Sequence, residues 1–70
     1  MDNYYKKKGA EALEKYKEFI GRARHLSELA SIVSDLKLKE TYSFESRWLY
    51  EQARTWQNKA RLYNSVLKGA

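Results

Sequence analysis

Apolar residues recur at alternating steps of four and three over most of this 70-residue chain, a spacing that leaves little room for anything but helix. Ala12, Tyr16, Phe19, Ala23, Leu26, Ala30 and Val33 form one such series. Leu49, Ala53, Trp56, Ala60, Tyr63 and Leu67 form a second. Each series marks one face of a helix. Pro is absent and Gly occurs three times, which argues against a turn-rich β fold. The sequence therefore predicts an all-α, antiparallel two-helix hairpin in a single domain. A long helix is expected over about 10–39, a second over about 43–68, and a short arm or helix over 1–9. Ser43 is the expected N-cap of the second helix, with Glu45 in its first turn and Lys68 and Gly69 at its end. Gly9, just after Lys6-Lys7-Lys8, is the expected discontinuity. Gly21 lies inside the first series, which keeps its register across it.

The seam has internal order. Ala23, Ala30, Ala53 and Ala60 share one heptad position, and Phe19, Leu26, Val33, Leu49, Trp56 and Tyr63 share the other. Alternating small and large layers let two helices approach closely. Trp56 and Tyr63 are thus assigned to the core. Trp48, Leu62 and Val66 fall off the second seam, and Leu13, Ile20, Leu29, Ile32 and Leu36 flank the first. Leaving this surplus wet is costly, at about 1.5–3 kcal/mol for each large side chain. Chains this short also rarely draw more than about 3–5 kcal/mol from one core. With no Cys and a single His (His25), disulfides and multi-histidine metal sites are excluded as staples. Self-association remains, so a helical homo-oligomer is expected, with Trp48, Leu62 and Val66 at its contacts.

Charge is unevenly placed along a chain of net charge +5. Residues 28–51 carry a balance of −2, residues 52–70 of +4 and residues 1–17 of +2. An antiparallel hairpin gathers the last two at its open end. Tyr4 and Tyr5 adjoin Lys6, Lys7 and Lys8, and the second helix adds Arg54, Lys59 and Arg61. Cations beside aromatic faces suit phosphates and stacked bases. These eight residues are the expected ligand site. Arg54 and Arg61, seven apart, share a helix face and could clamp phosphates bidentately. Arg22, Arg24 and His25 are the alternative location.

Nothing in the sequence suggests catalysis. There is no Gly-rich phosphate loop, no nucleophile elbow and no metal-ligand cluster, so neither an enzyme nor a cofactor is expected. No apolar run approaches the roughly 20 residues needed to span a bilayer, and no signal-peptide core follows Met1. A cytoplasmic protein without a membrane partner is expected.

The segment from Glu51 to Ala60, EQARTWQNKA, resembles the second helix of the phage anti-CBASS sponges. A similar hairpin occurs in one class of anti-Thoeris sponge. The resemblance rests on Glu51, Ala53, Trp56 and Ala60, while Thr55 stands where that family usually has Met. It implies a non-catalytic helical oligomer that sequesters a cyclic di- or trinucleotide between subunits, in the host cytoplasm if phage-encoded. No ligand residue is carried over from it. The alternating Ala layers and net charge also look like a Rop-type RNA-binding helical bundle, which makes nucleic acid the alternative partner. A small protein-binding inhibitor, using Trp48, Leu62 and Val66, is the third reading.

Overall fold

The computed structural model describes residues 2–69 as two helices, α1 (Asp2–Ile32) and α2 (Leu36–Gly69). They pack antiparallel along their whole length as an all-α hairpin, a rod of 52 × 13 × 12 Å. No helix among the described residues is long and apolar enough to cross a membrane.

The turn falls at residues 33–35, seven residues earlier than the expected connection at 40–42. Its cause is Asp35. One carboxylate oxygen, Oδ1, accepts the backbone N–H of Lys37 at 2.9 Å and of Leu38 at 3.1 Å, while the Asp35 carbonyl accepts the Lys39 N–H at 2.9 Å. That is N-cap geometry, which satisfies donors otherwise left orphaned at a helix start. Ser43, the expected cap, lies inside α2 with its neighbours helical on both sides. Leu36 and Leu38 are mostly exposed, so their apolar character extended the apparent first helix without joining its seam.

The arm expected over 1–9 is, from Asp2 onward, the start of α1; Met1 lies outside the described residues. Neither glycine interrupts the helix. A Cβ placed on Gly9 would meet the Tyr63 Cβ at 3.5 Å, an ordinary contact, and one on Gly21 would meet nothing within 4 Å. Gly21→Ala should therefore stabilise the chain by about 1 kcal/mol. At this size that gain raises the melting temperature by roughly 4–8 °C. An unchanged or lowered midpoint would mean that residue 21 is not helical.

The seam is built from small residues. Ala12, Ala23, Ala30 and Ala53 are buried, and among the described residues Leu49 is the one large side chain that joins them. Ser46 is buried too, and its Oγ donates to the Ala23 carbonyl of α1 at 2.8 Å. This interhelical bond ties a side chain of α2 to the backbone of α1. Trp56 and Tyr63, expected in the core, are only half-buried. Closely approaching helices leave no space between them for full aromatic rings, so those rings lie along the edge of the seam. Tyr63 there meets Tyr5 at a centroid distance of 6.3 Å.

Candidate functional site

Seam residues divide the rod into two sides. On one side, residues of both helices line two grooves in series. The first, of about 500 Å³, holds Lys6 and Leu13 from α1 with Gln57, Arg61 and Asn64 from α2. The second, of about 450 Å³, sets Ser27 of α1 against Arg47, Tyr50, Glu51 and Arg54.

The cations on this side form a row. Arg47, Arg54, Arg61 and Lys68 are spaced seven apart on α2, all exposed. Seven residues are nearly two turns, so these side chains leave one face at intervals of about 10.5 Å. From α1, Lys17 and Arg24 share the side occupied by Lys6 and Leu13. None of these seven cations belongs to either ion pair found among the described residues. Those two pairs, Lys8 with Glu11 at 3.7 Å and Arg22 with Glu18 at 2.9 Å, both lie on α1 and off the groove-lining side. The grooved side thus gathers seven cations, with Glu51 among them, and both ion pairs lie away from it.

The expected eight-residue site is divided by this geometry. Lys6 and Arg61 share the first groove and Arg54 lines the second. The other members are elsewhere. Lys59 lies over the Trp56 ring at 4.4 Å, and Lys8 lies over the Tyr4 ring at 5.7 Å. Tyr4 and Tyr5 meet edge to face at 5.3 Å, and Tyr5 turns toward Tyr63. Lys7 is exposed and lines neither groove. The cause is helical: Lys6, Lys7 and Lys8 step about 100° apart around α1 and cannot converge as a loose arm could.

Sequence reasoning missed Lys17, Arg47, Tyr50, Gln57, Asn64 and Lys68 as contributors. Charge totals over blocks of sequence put Arg47 with the acidic turn residues, yet its seven-residue spacing to Arg54 is a readable signal. Lys68 continues that spacing at the far end. Tyr50, 40% exposed, supplies an aromatic face in the second groove. Among the described residues no three His, Cys, Asp or Glu side chains gather as a metal cluster.

The chain is thus, by fold, a helical hairpin, and by surface, a rod with one basic grooved side. Comparison with protein-family models, curated proteins and solved structures finds no match to it.

Proposed function

We propose that this protein is a non-catalytic binder of phosphate-bearing nucleotide ligands, acting through its basic grooved side. The observation that carries this reading is the concentration of seven unpaired cations on one side of the rod. Arginine guanidinium groups match phosphate oxygens in a two-pronged geometry, and each charge-assisted bond is stronger than a neutral one.

The first groove favours a compact ligand, a cyclic di- or trinucleotide. Its volume suits a small molecule, Lys6 and Arg61 supply charge, and Gln57 and Asn64 supply amides for base edges. Ala10, Leu13, Ala60 and Leu67 give it an apolar floor. Bound there, a cyclic oligonucleotide signal would be held without being cleaved, the non-catalytic role that the resemblance of residues 51–60 to phage sponges implies, here in a groove of one chain rather than between subunits. A second reading, linear nucleic acid, is favoured by the row Arg47, Arg54, Arg61 and Lys68, which runs along the rod past both grooves.

Titration with a cyclic dinucleotide and with a 20-nucleotide RNA, each at two salt concentrations, tests both. The sequestering reading expects saturable cyclic-dinucleotide binding, modest salt dependence and recovery of intact ligand. Tight RNA binding, with affinity falling by a log–log slope of about −0.7 for each phosphate contacted, would replace it with the second reading. Binding of neither would remove nucleotide phosphates as the ligand class.

A further inference from the structure

We propose that the outer face of α2, turned away from α1, is a self-complementary interface that pairs two copies of this chain antiparallel, α2 on α2, about a two-fold axis at Thr55. Its apolar members on α2 are Phe44, Trp48, Leu62 and Val66, exposed by 68, 51, 64 and 39%. They share one stripe, and none lines the two grooves between the helices. Their spacing is symmetric. Phe44 and Val66 each lie eleven residues from Thr55, and Trp48 and Leu62 each lie seven away. A two-fold rotation there sets Trp48 level with Leu62 of the second copy, and Phe44 level with its Val66. Glu51 comes level with Lys59, and Gln52 with Asn58. Closed two-fold dimers require such a patch that complements itself. Thr55 suits the axis, because its Oγ1 already donates to the Glu51 carbonyl at 3.1 Å and needs no water there.

The exposed area agrees with a missing partner. A compact monomer of 8.3 kDa exposes about 4,600 Å². This chain exposes 5685 Å², an excess of roughly 1,100 Å². A standard interface covers about 800 Å² on each partner. The dimer is then a four-helix array with the two α2 helices inside and the two α1 helices outside, and it stands whatever the basic sides bind.

The chain has no cysteine, so a single one introduced reports its own neighbours. Helices packed 8–10 Å apart bring Cα atoms at the axis to roughly 4–5 Å, within disulfide reach. Under mild oxidation Thr55→Cys should link nearly completely into dimers with helicity unchanged. Ser43→Cys, in the grooved side, should stay unlinked. Sedimentation should give the unmodified chain at twice its monomer mass, and Trp48→Glu at the monomer mass with its helicity retained. Leu62→Glu, its counterpart across the axis, should act alike. A folded wild-type monomer at high micromolar concentration would overturn the proposal. So would a dimer indifferent to both Glu variants, or linkage through Ser43→Cys rather than Thr55→Cys.

Discussion

Leu49→Ala should lower the melting temperature by roughly 10 °C or more, the largest stability effect expected of any single truncation in this chain. Among the described residues Leu49 is the one large side chain that is buried; the others are Ala12, Ala23, Ala30, Ser46 and Ala53. Removing a buried leucine costs about 2–5 kcal/mol, through lost transfer energy and the cavity left behind. A chain of this length draws only about 3–5 kcal/mol from its core, so the loss is most of what there is. Rigid neighbours sharpen the effect, because alanine seams have no flexible side chains to fill the gap. Thermal melts followed by circular dichroism at fixed protein concentration measure it. A shift under about 3 °C would mean that the hairpin is held elsewhere.

The double substitution Arg54→Gln with Arg61→Gln should weaken binding of an RNA that crosses both grooves about a hundredfold, and of a cyclic dinucleotide held in the first groove about tenfold, while leaving the fold intact. Both side chains are exposed and unpaired, so neither change removes a packing contact. A hydrogen bond to a charged group contributes about 1.5–3 kcal/mol, or at least about tenfold in affinity for each arginine. Lys59→Gln is the matched control, since its ammonium group lies over Trp56 and outside both grooves. It should change affinity by no more than about twofold, a fraction of a kcal/mol. If Lys59→Gln weakens binding more than the double arginine variant, the ligand sits on the other side of the rod. Equilibrium titration of each variant against the same cyclic dinucleotide or RNA decides it.

The hairpin itself was legible because a four-three apolar spacing has few other meanings. Ala23, Ala30 and Ala53 are buried where the heptad order put them. The turn was not legible, for a specific reason. Val33, Leu36 and Leu38 keep apolar residues coming, so the pattern passes through the turn without a gap. Only the bonds from Lys37 and Leu38 to the Asp35 carboxylate distinguish that acid from Ser43 as the cap. The buried hydroxyl of Ser46 was equally silent, since a serine reads as polar surface until a carbonyl is seen facing it. For the candidate site, charge totals over blocks of sequence located the basic residues but not their sides. Dividing the chain at residue 51 separated Arg47 from Arg54, although helical spacing puts them on one face. Three consecutive lysines looked like a cluster, and a helix disperses them.

The buried residues of the seam end at Ala12 on one helix and Ala53 on the other. Beyond them, toward the open end, the helices are joined only by half-buried contacts such as Tyr5 with Tyr63. Amide hydrogens there should exchange with solvent through local opening, well before those around Ala23 and Ser46. The groove of Lys6 and Arg61 is built on that least protected stretch. Whatever occupies it favours the closed rungs over the frayed ones and adds to their lifetime by mass action. The chain's weakest segment is therefore also the one whose stability a ligand can set.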